Sequence, residues 1–253
     1  MDKDRLLNAW LEEQDIAHIK GWDFSHISGR YREEDNLPWE FRDIIAKYLK
    51  EDDRLLDMET GGGEFLLSLN HNPALTSAIE GYEPNIAVCR DNLLPLGIDF
   101  RPADGADPLP FADESFAVIT NRHGDYDVTE VKRTLKQDGV FITQQVGAEN
   151  DLELVQLLLG SARITYPEAY LRKAEQALVE SGFDILESAE TYRPIEFYDV
   201  GALVWFARII EWEFPGFSVE RYRDNLFKAQ AILEQEGAIK GNIHRYYLVA
   251  RKR

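Results

Sequence analysis

Leu55-Leu56-Asp57-Met58-Glu59-Thr60-Gly61-Gly62-Gly63-Glu64-Phe65-Leu66-Leu67 decides the fold. An apolar run ends in an acid, three glycines follow, and an amphipathic segment begins. This order predicts a buried strand, a tight turn and the start of a helix. Glycine suits such a turn because it lacks a Cβ, so the backbone bends sharply and comes close to a ligand. A helix starting there directs free N–H groups at whatever lies above the turn. A dinucleotide fingerprint needs a further glycine three residues on; Leu66 stands there instead. A phosphate-binding loop needs Gly-Lys-Ser/Thr, which is absent from this stretch. The turn by itself is equally a tight strand-to-helix connection.

The stretch resembles motif I of the class I S-adenosylmethionine (SAM)-dependent methyltransferases, of the type 11-like group, written acid-x-Gly-x-Gly-x-Gly. Asp57, Gly61 and Gly63 match it, and Glu59 replaces the first glycine. Downstream segments extend the resemblance. A second strand is expected over 77–83, ending Gly81-Tyr82-Glu83-Pro84. Glu83 lies 20 residues past Gly63, where an acid in nucleotide-binding α/β folds accepts hydrogen bonds from ribose hydroxyls. A carboxylate offers two acceptor oxygens for a vicinal diol. The same acid also suits the first turn of a helix. A short third strand, 99–104, ends at Asp104-Gly105; the resemblance implies that Asp104 accepts from the adenine amino group. Leu109-Pro110-Phe111 and Glu114-Ser115-Phe116 resemble the passage between the third and fourth strands of the family, with Ala117 where an acid is usual. Leu135-Lys136-Gln137-Asp138-Gly139 before Val140-Phe141-Ile142 resembles its helix–glycine–strand passage, and Gly139 is expected to end that helix.

The resemblance, strongest over about 50–147, implies a Rossmann-like, doubly wound, mostly parallel seven-stranded sheet whose last strand, about 243–251, is antiparallel. It implies SAM as cofactor and no metal. The cofactor-binding set expected is Asp57, Glu59, Thr60, Gly61, Gly63, Glu83, Pro84, Asp104, Gly105, Asn121 and Arg122. Glu59, inside the turn, is expected to meet the SAM amino group. Asn121-Arg122-His123 leaves the fourth core strand (117–121), over the ligand crevice of an α/β sheet. His123 is the candidate general base, its ordinary pKa lying near neutrality; it reads equally as a loop histidine at the rim. Arg122 faces the SAM carboxylate or an acidic acceptor.

A single domain of 253 residues is expected, with a helical cap over 1–50, a core over 51–147 and a C-terminal half over 148–253 that carries a helical lid at about 193–236. Trp22, Phe24 and Arg30 in the cap, and Trp205 and Trp212 in the lid, read as substrate-facing groups or as plain core. Helices are expected over 2–14, from Leu37 with Pro38 in first position, over 151–159 and 167–182, after an Asp199 cap, and over about 218–236.

The net charge of −18 argues against a nucleic-acid partner, which takes basic surface. An RNA methyltransferase would need a basic groove, with Arg122, Arg172, Lys173 and Arg245 as its candidates. Apolar runs are too short to cross a bilayer. The acidic start and single cysteine, Cys89, point to the cytoplasm, without disulfide or cysteine metal cluster. A small-molecule acceptor is the partner expected, and a non-catalytic SAM-binding protein is the remaining alternative. The oligomeric state is not legible.

Overall fold

The computed structural model describes residues 2–18, 24–33, 36–161 and 164–253. They fall into two compact units. The first holds the chain up to Leu37 with Ala148–Pro167 and Tyr192–His244; the second holds Pro38–Gly147, Glu168–Thr191 and Arg245–Arg253.

The second unit carries the sheet that the glycine stretch begins. Its strands are β2 (Leu55–Met58), β3 (Thr76–Glu80), β4 (Asp99–Pro102), β5 (Phe116–Arg122) and β6 (Leu135–Val146), with parts of β7 (Phe183–Phe197) and β8 (Ile239–Lys252). They lie in the order β7-β8-β6-β5-β2-β3-β4. β2 runs parallel to β3 and β5, β4 to β3, and β6 to β5. β8 is antiparallel to β6, with Ile142 opposite Val249. The mostly parallel sheet with an antiparallel C-terminal strand is the expected α/β fold. β2 and β3 are buried throughout, as strands covered on both faces must be. Helices α2 (Phe41–Tyr48), α3 (Glu64–Ser68), α4 (Glu83–Leu93), α5 (Val128–Thr134) and α7 (Leu171–Glu180) belong to this unit. The apolar side chains form two clusters, one around Leu55, Cys89, Leu93 and Ile142, the other around Leu56, Ile119, Phe141 and Leu248. Such clusters on the inward faces of α/β layers contribute most of the burial energy.

The first unit contains α1 (Lys3–Asp15), β1 (Tyr31–Glu33), α6 (Leu152–Leu159), α8 (Val200–Ile209) and α9 (Arg223–Glu236). β1 is an eighth strand, antiparallel to the far end of β7 with Tyr31 opposite Phe197, and was not anticipated. α8 is almost wholly buried. Its cap is the expected Asp199, which accepts from the Ala202 N–H. Among the described residues no helix is long and apolar enough to cross a membrane.

Several boundaries differ from expectation. α2 begins at Phe41 rather than near Pro38, with Glu40 at its N-terminal boundary. β3 stops at Glu80, so Glu83 opens α4 instead of closing a strand. α5 stops at Thr134; Leu135 already pairs with Phe116, and the left-handed residue of the following turn is Asp138 at φ 62°, not Gly139. α9 starts at Arg223, with Tyr222 before it.

Candidate functional site at the carboxyl ends of the strands

Within the second unit, the carboxyl ends of β2, β3, β4 and β5 meet around the glycine turn. Gly61 and Gly63 take φ of 65° and 86°, the left-handed region that glycine alone enters freely. Asp57 locks the turn to β5: its carboxylate accepts from the Thr60 hydroxyl at 2.6 Å and from the Thr120 hydroxyl at 2.6 Å. Burial pushes its pKa up, while the two hydroxyls and Arg122 pull it down. Both carboxylate oxygens therefore serve the fold. α3 has five residues, with Gly63 at its N-terminal boundary.

Glu80 was missed by the sequence reading, which favoured Glu83. Its buried carboxylate accepts from the Gly61 N–H at 2.7 Å and the Tyr82 N–H at 2.8 Å. The signal for it was the end of the apolar run Ala78-Ile79 just before Gly81. Glu83 and Pro84 are exposed at the start of α4. Glu83 has no side-chain partner among the described residues, which leaves both its oxygens for a ligand. Asp104 is exposed beyond β4 and accepts from the Ala106 N–H at 2.9 Å through Oδ1, so its Oδ2 is uncommitted.

Glu59 holds a left-handed φ of 54°, uncommon for a side-chain-bearing residue. Its Oε1 accepts from the Gly105 N–H at 2.6 Å, and Oε2 lies 3.5 Å from the Gly81 N–H. A Cβ added to Gly124 would collide with its Cβ and Cγ. The glutamate thus lies in a cradle of three glycines, on backbone donors. Burial raises its pKa to about 7 against the pull of those N–H groups, with Glu80 and Asp104 adding to the rise. The expected partner for a ligand amino group is, in this structure, bonded to the chain itself.

β5 brings the polar run Asn121-Arg122-His123 to the same end. The Asn121 side chain is fully buried; its Oδ1 accepts from the Gln145 Nε2 at 2.5 Å and the Thr143 hydroxyl at 3.1 Å. Its Nδ2 has no hydrogen-bond partner. Arg122 lies over the Phe65 ring, 4.4 Å from its centroid. His123 is in the left-handed region at φ 61°, and its Nε2 is 3.2 Å from the Gln144 Nε2. The residue is exposed to solvent. The surrounding protein mass, then Arg245 and Arg122, push its pKa down to about 3. At that value the ring is neutral at physiological pH.

The remaining expected residues fall in the first unit. Trp205 is buried in that unit's core, with Phe24 edge-on at 5.9 Å and His26 at 5.2 Å. Arg30 makes a two-pronged pair with Asp199, at 2.8 and 2.7 Å, and reaches Glu13 at 2.7 Å. Trp212 is 42% exposed. Trp22 lies outside the described residues. Among the described residues no group of three His, Cys, Asp or Glu side chains is placed to hold a metal ion.

Residues 56–143 match the family model described as a methyltransferase domain. A comparison with curated protein sequences finds no match. Solved structures share the fold. A protein of unknown function from Deinococcus radiodurans R1 superposes with a TM-score of 0.60 at 16% identity, covering 99% of this chain and 98% of that one. The [4+2]-cyclase SpnF gives 0.52 at 19% identity, over 98% and 93%. A SAM-dependent methyltransferase from Methanosarcina mazei gives 0.51 at 17% identity, over 83% and 96%.

Proposed function

We propose that the protein moves a methyl group from SAM to a small-molecule acceptor, through the stretch 56–143 that matches the methyltransferase-domain model. The observation that carries this reading is the run of acids at successive strand ends: Asp57 and Glu80 shape the turn, and Glu83 and Asp104 stand beyond it with oxygens to spare. The donor and acceptor set suits the cofactor. Glu83 offers two acceptors for a ribose diol, Asp104 one for an exocyclic amine, and Gly105 a backbone donor once Glu59 withdraws. Asn121 Nδ2 is a buried donor still lacking an acceptor, a feature that costs about 1–3 kcal/mol unless a ligand or water satisfies it.

Bound SAM supplies a methyl group on a positively charged sulfur, activated for in-line displacement. The chain orients the reactants and surrounds a cationic donor with carboxylates. His123 is neutral and hydrogen-bonded at Nε2. The charge of −18 supports a small acceptor over a nucleic acid.

The test is transfer of labelled methyl from SAM to pooled small metabolites, with Asp104→Ala as control. The wild type is expected to label a small molecule, and the variant to bind SAM at least tenfold more weakly, about 1.4 kcal/mol. Tight SAM binding with no labelled product would favour the non-catalytic reading; label entering RNA would favour the RNA methyltransferase.

A further inference from the structure

Three glycines bring their backbone to one side chain. Gly81 follows β3, Gly105 lies past β4 and Gly124 past β5, and the Glu59 side chain reaches all three. Its Oε1 accepts from the Gly105 N–H at 2.6 Å, and its Oε2 lies 3.5 Å from the Gly81 N–H. A Cβ on Gly124 would collide with the Glu59 Cβ and Cγ. The opening that these glycines make at the strand ends is filled by the chain itself. The residue that fills it stands where motif I carries a glycine, which has no side chain to insert.

This occupancy is unfavourable in three respects. Glu59 holds a left-handed φ of 54°, which a residue with a side chain disfavours. Two further acids face its carboxylate, Glu80 from β3 and Asp104 from beyond β4. On the β5 side its neighbours are Gly124 and the uncharged amide of Asn121. The orientation of that amide follows from Gln145, whose Nε2 lies 3.0 Å from the Gly124 carbonyl oxygen and is therefore the donating end. The Asn121 atom 2.5 Å from it is then the accepting Oδ1. The Asn121 Nδ2 comes within 3.4 Å of the point where a Gly124 Cβ would stand, the same point that the Glu59 stem crowds. There it is buried and meets no acceptor, a loss that water or a ligand acceptor would make good. Backbone strain, like-charge repulsion and a stranded donor converge on one residue, and each is relieved when Glu59 swings out of the crevice.

We propose that Glu59 is an internal competitor for the cofactor: in the free protein its side chain occupies the crevice beside the glycine turn, and SAM binds by displacing it. Displacement frees the Gly105 N–H and uncovers the Asn121 NH2, two donors for a ligand that brings acceptors. The inference rests on the SAM reading given above and adds a regulation to it. The affinity for SAM is the affinity of the open crevice reduced by the fraction of molecules that are open. The strain, the repulsion and the stranded donor keep the closed state only modestly favoured, so that a ligand can displace it.

The experiment is calorimetric titration of S-adenosylhomocysteine into the full-length wild type, Glu59→Gly and Glu59→Gln, paired with 13C NMR of the Glu59 carboxyl across pH. Glycine accepts the left-handed backbone and removes the side chain, so Glu59→Gly is expected to bind at least tenfold more tightly than the wild type. Glutamine keeps the length and an oxygen for the Gly105 N–H, so Glu59→Gln is expected to bind no more tightly than the wild type. In the wild type the Glu59 carboxyl is expected to titrate at about 7 when free, and as an ordinary solvated glutamate once S-adenosylhomocysteine saturates the protein. The NMR arm uses the wild type alone, so it decides even where Glu59→Gly folds poorly. Equal or weaker binding by Glu59→Gly, or a carboxyl that titrates unchanged at saturation, overturns the competitor while the heat of binding leaves the cofactor reading standing. Tightening in Glu59→Gln equal to that in Glu59→Gly also overturns it, because charge rather than occupancy would then set the affinity. Heat from Glu59→Gly with none from the wild type supports the competitor most strongly. No heat from any of the three folded proteins removes the cofactor reading, and the competitor with it.

Discussion

Glu59→Gln gains stability relative to the wild type as the pH rises from 4 to 8, by about 3 kcal/mol. The folded carboxyl keeps its proton up to about pH 7, because burial outweighs the Gly105 and Gly81 N–H groups and Glu80 and Asp104 add repulsion. In the unfolded chain an ordinary glutamate releases its proton near pH 4.5. Between those values the folded state binds more protons than the unfolded one. Stability is therefore full below the unfolded pKa, falls as the pH rises through the window, and stays low above it. Glutamine keeps an oxygen for the Gly105 N–H and never ionises, so it escapes the loss. Asp57, also pushed up by burial, acts in both proteins and cancels in the comparison. Urea unfolding of the pair at several pH values gives the difference directly; a difference independent of pH contradicts the assignment.

Gly63→Ala is expected to destabilise the fold by about 2–4 kcal/mol, combining left-handed strain of about 1–2 kcal/mol with overpacking of about 1–3 kcal/mol. The glycine sits at φ 86°, and a Cβ there would come 2.7 Å from Leu93 Cδ2. Leu93 is fully buried, so it has little room to yield. Gly97 is the control: its φ is 89°, but no atom lies within 4 Å of an added Cβ. Gly97→Ala should therefore show only the strain, about 1–2 kcal/mol. Equal losses in the two variants would mean that Leu93 gives way and that close packing of the turn on α4 is not what requires glycine.

The glycine turn, the parallel core and the antiparallel last strand were legible because they rest on local patterns. An apolar run, an acid and a glycine turn are read from neighbouring residues. Boundaries failed where a local signal had two outlets. The run 77–83 contains two acids, and only the packed chain shows that Glu80 turns inward to the Gly61 and Tyr82 N–H groups while Glu83 opens α4. Gly139 looked like a helix end, yet Asp138 supplies the left-handed residue. Long-range contacts were invisible. Gln144 meets Trp39 across 105 positions and His123 across 21, and no spacing rule links such residues. The aromatic stripe containing Trp205 carried two readings in sequence; in the structure Trp205 packs inside the first unit's own core.

The central claim, that the crevice beside the glycine turn takes SAM, is tested most directly by calorimetric titration with SAM and S-adenosylhomocysteine on the wild type and on Glu83→Ala. Glu83 is exposed and without a side-chain partner among the described residues, so its loss leaves the fold intact. Micromolar binding, weakened at least tenfold by the substitution, about 1.4 kcal/mol or more, is the result this account predicts. No heat from either ligand in the folded wild type would contradict it and leave the glycine turn as a tight connection between β2 and α3.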